Sequence, residues 1–446
     1  MNKPEKPADM KHLLLQNQEK LPLFLGNASV MKFVHQANQE YMHWDDVRRK
    51  RLPEGTTLEL LWTLMKILRD PSLKFIRVGK MQFSYAVISE MQRKLHLLDT
   101  GAAGRLTSHQ PFVNLEGQER YIISSLMEEA IASSQIEGAA TTRKVAKEML
   151  RLNKRPRTPD EIMIRNNYRT MQKIMDMIKG GSKRMTVESI LDLHRELTDS
   201  TMDPQWQGKF RESNDVYVGE HMDPDKVYHI PPDYKEIEGM IGALCDFAND
   251  DGGEFIHPVI KGIILHFMLA FIHPFVDGNG RTARALFYWY VLNRGYWLFQ
   301  FMSISRIVYR SRGKYYMAFL HTETDDNDLT YFIKHNLEVI QEAFDDMQHY
   351  IERKQREQEE ASKLVRGLKS VNLRQADILQ DLLKNPNKAL IIPEIMNTYG
   401  VVYQTARKDL LHLVHLGHLN LTRAGRKFVF RLASRGEKLG HSKELR

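Results

Sequence analysis

The stretch HPFVDGNGRTAR, His273–Arg284, sets a histidine, an aspartate, a Gly-Asn-Gly turn and two arginines three apart between two strongly apolar segments. HPVIKGIILHFMLAFI precedes it and ALFYWYVLNRG follows it. The first segment is apolar nearly all round, the pattern of a helix buried in a core. Pro274 and the glycines end that helix, and a second begins near Arg281. The first turn of the second helix leaves backbone N–H groups without intrahelical partners, and a glycine-rich approach lets an anion come close to them. Arg281 and Arg284, at i and i+3, lie on nearly one face and can reach one polyanion. Asp277 offers a single hard oxygen beside that anion site, the donor set of a Mg²⁺ ion held by one carboxylate and substrate phosphates. His273 has the reach and the unperturbed pKa of a general base. Gly278, Asn279, Gly280 and the two arginines thus describe a triphosphate cradle, next to a metal ligand and a base that could activate a hydroxyl for attack on phosphorus.

The rest of the chain bounds this reading. Its 446 residues are enough for two or three domains, and 42% hydrophobic with 27% charged residues is the balance of a globular protein. No apolar run is long enough to cross a bilayer. The opening MNKPEKPADMKHLLLQNQEK lacks the regions of a signal peptide. The single cysteine, Cys245, excludes an intrachain disulfide and a Cys-rich zinc site within one chain. A cytoplasmic protein with no membrane partner is expected. A net charge of +8 permits nucleotide or nucleic-acid binding without requiring it.

Four regions separate, and the expected fold class is mainly α. Residues 1–105 read as a helical N-terminal region, with apolar residues at helical spacing in TTLELLWTLMKILRD and MQFSYAVISEMQRKLHLLDTGAAG. Residues 106–342 are a series of amphipathic helices interrupted by GKFRESNDVYVGEHMDPDKVYHIPPDY, which reads as a β-hairpin before a Pro-terminated loop. Residues 343–370 are charge-dense and helix-favouring, a solvated connecting helix. Residues 371–446 run helix, helix, turn, helix, hairpin, the order of a winged helix-turn-helix.

The opening stretch resembles the signature of the Fic family, HxFx(D/E)GNGRxxR, and matches it at every fixed position. The resemblance extends over about residues 106–342. It implies a helical core that transfers a nucleoside monophosphate, usually AMP from ATP, to a Ser, Thr or Tyr hydroxyl of a protein, with release of pyrophosphate. By this match His273 is the base, Asp277 the Mg²⁺ ligand, Gly278–Gly280 the phosphate cradle, and Arg281 and Arg284 the ligands of the β- and γ-phosphates. His257 and His266 read as helix residues and not as metal ligands.

A second segment, SSQIEG, resembles the inhibitory motif of Fic proteins, (S/T)xxxE(G/N), with Ser133, Glu137 and Gly138 in the matching places. It precedes the signature in the same chain, as in the class whose inhibitory helix lies N-terminal to the catalytic motif. Ser133 and Glu137, four apart, share a helix face, and Gly138 supplies a stop. The resemblance implies that Glu137 pairs with Arg284 and denies it to the γ-phosphate. The same glutamate could instead orient a water for removal of AMP, and both roles stay open.

The hairpin falls where the family has the flap over its active site. Val227, Tyr228 and His229 are placed over the nucleotide, and the exposed strand edge can align a target segment. Tyr315 and Tyr316 are either adenine contacts or core aromatics. Some relatives read adenine with an asparagine where this chain has Glu323 or its neighbours, so another nucleotide remains an alternative. In the tail, Gln404, Thr405, Arg407 and Lys408 of the third helix and Arg423, Arg426 and Lys427 of the wing suit base edges and phosphates. A DNA-binding regulator is the alternative of another class, with protein contact or dimerisation as the other use of such a tail. The protein target, self-modification included, and a homodimer are not legible in the sequence.

Overall fold

The computed structural model describes residues 3–101, 115–181, 184–220, 223–250, 252–365, 370–425 and 427–433, so Arg426 lies outside the described residues. The chain divides into two compact units. The first comprises Met1–Thr107, Glu129–Ala140 and Thr158–Ala343, and the second Ser108–Glu128, Thr141–Arg157 and Phe344–Arg446.

The first unit opens with five helices, α1 (Met10–Asn17), α2 (Leu21–Leu25), α3 (Ala28–Gln39), α4 (Trp44–Arg48) and α5 (Leu58–Arg69). They close a core around Leu13, Val34, Trp44, Leu61 and Trp62. A hairpin follows, β1 (Lys74–Val78) and β2 (Met81–Tyr85), and then α6 (Ser89–Gly101). Residues 81–85 were expected to be helical. Their alternation, with Met81, Phe83 and Tyr85 buried on one side, is that of a strand, and Gly79 at φ 59° makes the two-residue turn. β2 lies beside the segment before α16: Leu329 N donates to the Ser84 carbonyl at 2.8 Å. Tyr41 donates to Asp328, Lys66 to Asp325, and Arg69 to Tyr331, so the N-terminal helices grip this segment through buried polar bonds.

The helices around the signature begin where their sequences say they should. In α7 (Leu115–Ile136) the last two turns lie in the first unit. Thr158 caps α9 (Pro159–Lys179), with proline at its first position, and a Thr186–Ser189 capping box opens α10 (Val187–Thr198). The hairpin of β3 (Val218–Glu220) and β4 (Asp223–His229) leads to α11 (Ile237–Asn249). His257 caps α12 (Pro258–Ile272), which is buried nearly all round, as is α13 (Asn279–Asn293). The remaining helices are α14 (Ile304–Arg310), α15 (Arg312–Thr324) and α16 (Thr330–Val365).

The second unit holds the first half of α7, α8 (Arg143–Arg151), the later part of α16 and the C-terminal elements. Phe344, Met347 and Ile351 of α16 are buried, so the start of the charged segment is packed and not wholly solvated. Then come α17 (Leu373–Lys384), the short strand β5 (Ala389–Leu390), α18 (Ile392–Tyr399), α19 (Tyr403–His415), β6 (Leu419–Ala424) and β7 (Lys427–Leu432). The strands order β5-β7-β6 over a core of Ile378, Leu382, Ile395, Leu410, Leu413 and Phe430.

Within the first unit, α12 and α13 approach closely because Gly262 has no side chain. A Cβ there would fall 2.9 Å from Val291 Cγ1 and 3.3 Å from Phe287. Gly262→Ala is expected to destabilise the fold by roughly 1–3 kcal/mol through overpacking, read as a lower midpoint of thermal or denaturant unfolding.

Candidate active site

The loop between α12 and α13 is held from several sides. His273 closes α12 in the left-handed region, φ 48°, a conformation that the following proline helps to select by disfavouring the right-handed helix. Asn279 accepts from Phe275 N (2.9 Å) and donates to Phe275 O (2.8 Å), closing the loop on itself. Gly278, at φ 84°, precedes α13, which begins without a capping side chain. Its first-turn N–H groups are therefore available to an anion.

Two residues absent from the sequence reading fix this loop. The His194 ring stacks on Phe275 at 3.7 Å; Gly208 N donates to its Nδ1, so its Nε2 carries the proton donated to the Asp277 carbonyl. Arg211 donates to the carbonyls of His273 and Pro232, joining the base of the hairpin to the loop. Neither position has a local signature for this role, because the loop carbonyls they hold, His273 and Asp277, lie 62 and 83 residues away in the chain.

His273 Nδ1 faces the Ala270 carbonyl at 3.2 Å, which makes Nδ1 the protonated nitrogen and leaves Nε2 as a base. Burial pulls its pKa down to about 4; the Ala270 carbonyl opposes this and the charge of His229 adds to it. The imidazole is thus neutral and able to accept a proton at physiological pH. Asp277 has a largely exposed side chain, its Oδ1 accepting from Gly278 N and its Oδ2 lying 3.3 Å from Arg281. Arg281, by contrast, is enclosed. It donates to the Leu197 carbonyl at 3.0 Å, and its Nε has no partner.

Arg284, the second arginine of the signature, is buried as well. Its Nε donates to Ser133 Oγ at 2.9 Å, and one Nη donates to Ser133 O at 3.0 Å and to Glu137 Oε1 at 2.6 Å. Burial alone would lower this guanidinium; Glu137, with Tyr315 and Glu129 behind it, more than reverses that and leaves it above its ordinary value. Glu137 lies against Gly280 as well: a Cβ on Gly280 would fall 2.3 Å from Glu137 Oε1. Its carboxylate therefore sits at the mouth of the anion cradle and on the arginine together. Gly138, at φ 99°, ends the turn that carries it.

The remaining expected residues are distributed more widely. His229 is buried, its Nδ1 2.8 Å from Glu323 and its Nε2 2.7 Å from the Phe271 carbonyl, so protein groups engage both ring nitrogens. Val227 and Tyr228 are half-buried on β4. Tyr315 is buried, 2.8 Å from His266 Nε2, while Tyr316 is partly exposed. His257 contacts Asp99, and among the described residues no group of three or more His, Cys, Asp or Glu could hold a metal ion. Gln404, Arg407 and Lys408 are exposed on α19, Thr405 is half-buried, and Arg423 and Lys427 are exposed on the terminal hairpin.

Residues 184–291, from before α10 to the end of α13, match the Fic/DOC family. The chain carries a Fic-family domain. Over 112 residues it is 36% identical to the protein adenylyltransferase Fic of Drosophila willistoni, and over 105 residues 33% identical to that of Nematostella vectensis. These spans are 25% and 24% of this chain and 20% and 22% of the relatives, so the chain spans about a fifth of the length of the curated relatives it matches. A solved structure of a Fic-1 variant from C. elegans, 17% identical, aligns with a TM-score of 0.50 over 78% of this chain and 89% of that one, a likeness of fold.

The half-buried His273 of the Fic domain gives a direct test. In NMR spectra of histidine-labelled protein, the resonance lost in His273→Ala is expected to remain that of a neutral ring from pH 8 down to about 5, with a midpoint near pH 4. A midpoint near the ordinary value would show an open, hydrated base.

Proposed function

We propose that the chain is a protein adenylyltransferase restrained by its own Glu137. The observation that carries this reading is the joint placement of Glu137 against Gly280 and Arg284, beside a neutral His273. In the proposed reaction His273 Nε2 takes the proton of a Ser, Thr or Tyr hydroxyl on the target protein. The hydroxyl oxygen attacks the α-phosphorus of ATP, the bond to the α–β bridging oxygen breaks, and pyrophosphate leaves. The first-turn N–H groups of α13 and Arg284 bind the β- and γ-phosphates. Arg281, bonded to Leu197 O and close to Asp277, steadies the carboxylate side of the loop.

Asp277 fits a Mg²⁺ ion that takes one protein oxygen and completes its shell with phosphates and water, because its carboxylate is exposed and no further acidic residue is needed. Bound there, the ion would neutralise charge on the triphosphate. Glu137 on Arg284 removes a donor from the γ-phosphate, so ATP is held poorly until the carboxylate leaves. The alternative, a water oriented by Glu137 to remove AMP, uses the same residues in reverse. No described helix is long and apolar enough to cross a membrane. The one cysteine is buried and unpaired, which fits the reducing cytoplasm we propose as its setting.

Incubation with α-labelled ATP and Mg²⁺ is expected to show low incorporation into wild-type protein, more than tenfold higher incorporation into Glu137→Gly by order of magnitude, and none into His273→Ala. Equal incorporation by wild type and Glu137→Gly would remove the brake, and incorporation from another labelled triphosphate would reassign the donor.

A second reading rests on the strand order β5-β7-β6 and the exposed Gln404, Arg407 and Lys408 of α19. We read these elements as a winged helix that binds duplex DNA, with α19 toward the major groove and the terminal hairpin on the phosphates. Fluorescence anisotropy of labelled duplex with the full chain is expected to rise in a salt-dependent way. Replacing Arg407 and Lys408 by Ala should lower the salt slope by about two. No change in anisotropy at about 50 mM salt would leave protein contact as the use of this surface.

A further inference from the structure

Glu129 is a buried carboxylate that the proposed reaction does not use, 2% exposed in the first unit. It lies on α7 two turns before Glu137. Glu129, Ser133 and Glu137 recur at i, i+4 and i+8 and so share one face. Its Oε2 accepts from Ser305 N at 2.9 Å and from Ser303 Oγ at 3.2 Å, and its Oε1 accepts from Ser305 Oγ. The start of α14 has no cap from its own Ser303 side chain, so Glu129 supplies that cap from another helix.

This bond set explains something that the Glu137–Arg284 pair alone does not. Glu137 lies one residue beyond the end of α7, and its side chain is 29% exposed. Its hold on the cradle is a single bond to the arginine that a triphosphate would claim. The Ser133 bonds involve that same arginine. A further tie near the helix end, Asn167 to Ser134 Oγ, is long at 3.5 Å. The buried apolar residues of this end of α7, Ala130 and Ile131 among them, hold it in the core but do not fix its position along or around its axis as hydrogen bonds do. Behind Arg284 a cavity of about 10 Å³, lined in part by Glu129, His266 and Asn336, leaves the guanidinium room for only about one water on its inner side.

We propose that Glu129 is the positioning residue of the brake: by capping the start of α14 it fixes the register of α7, and that register holds Glu137 on Gly280 and Arg284. The proposal rests on the reading of Glu137 as an inhibitory carboxylate. Burial pushes the Glu129 carboxyl up, with the Ser305 donors and the Arg284 charge opposing. A glutamine there can still accept from Ser305 N and donate to Ser305 Oγ. Methionine, which keeps the length and accepts nothing, is the sharper replacement.

The test is labelled-AMP incorporation by the full chain as wild type, Glu129→Met, Glu137→Gly and the double variant, with Ser305→Ala alongside. Glu129→Met is expected to raise incorporation by roughly fivefold or more, with Ser305→Ala moving it less in the same direction. The double variant should match Glu137→Gly within about twofold, because a lost anchor has nothing left to release. If Glu137→Gly itself stays at the wild-type level, the brake reading fails. If Glu137→Gly rises while Glu129→Met and Ser305→Ala stay at the wild-type level, the anchor is overturned. It is overturned equally if Glu129→Met lowers incorporation and the double variant falls with it, the mark of a purely structural residue. Should Glu129→Met not fold, Ser305→Pro takes its place, because it removes both the N–H and the hydroxyl that Glu129 accepts from at a first-turn position where proline is tolerated; a folded Ser305→Pro at the wild-type level overturns the proposal by itself.

Discussion

A guanidinium buried in a protein needs acceptors or a counter-charge for its N–H groups, and in the Fic domain Arg284 meets that need with a carboxylate. Leaving one member of a buried ion pair unpaired costs about 3–5 kcal/mol, so Arg284 is never usefully left alone. Its partner is either a carboxylate of this chain or an anion from outside. The structure has the first arrangement, with Glu137 at 2.6 Å. Its surroundings depend on this choice, because α7 is placed where Glu137 can reach the arginine and α13 is placed where the arginine faces the cradle.

The loop that carries His273 and Asp277 depends on a different constraint, rigidity. A non-glycine residue in the left-handed region, an asparagine closing the backbone on itself and a histidine stacked under Phe275 each remove a way for the loop to relax. Arg211 adds the hairpin base to this assembly. A base and an anion site mounted this firmly need little reorganisation when substrate arrives, which is the condition under which electrostatic stabilisation is most effective. Glu137, beyond a helix end and partly exposed, is held by fewer bonds than this loop.

How much of this the sequence discloses follows from the range of each interaction. The helices flanking residues 273–284, the turn between them, the Ser133–Glu137–Gly138 segment and the order of the C-terminal elements are local patterns, and local periodicity and turn chemistry encode them. The two arginines show the limit. Spacing puts Arg281 and Arg284 on one face, and what it leaves unread is the bond of Arg281 to the Leu197 carbonyl, 84 residues away in sequence. Glu129 reads as one more charge in an amphipathic helix, since its partners are 174 and 176 residues distant. The likeness of the hairpin to the family's flap places His229 over the nucleotide, while its contact with Glu323 spans 94 residues and is not legible locally. The hairpin at 74–85 is hidden in the sequence for another reason. Its second strand runs directly toward a helix of similar composition, and the alternation over five residues is short beside the helical pattern that follows.

The arrangement also limits how strong the brake we propose needs to be. Moving a two-state equilibrium from 1:99 to 99:1 takes about 5.5 kcal/mol of differential binding, which is near the cost of leaving a buried charge unpaired. In the reaction we propose, ATP would supply part of that difference, because its phosphates would replace the counter-charge that Glu137 withdraws and leave Arg284 paired on both sides. What remains is the cost of moving the end of α7. That cost resides in bonds such as those of Glu129, which no phosphate can replace. The helix changes compact unit at this point: Glu128 belongs to the second unit, paired with Arg143 and Lys147, and Glu129 to the first. Any influence that shifts α7 by a fraction of a turn acts on the anchored side of the balance, where a few hydrogen bonds decide whether the cradle holds a carboxylate or a nucleotide.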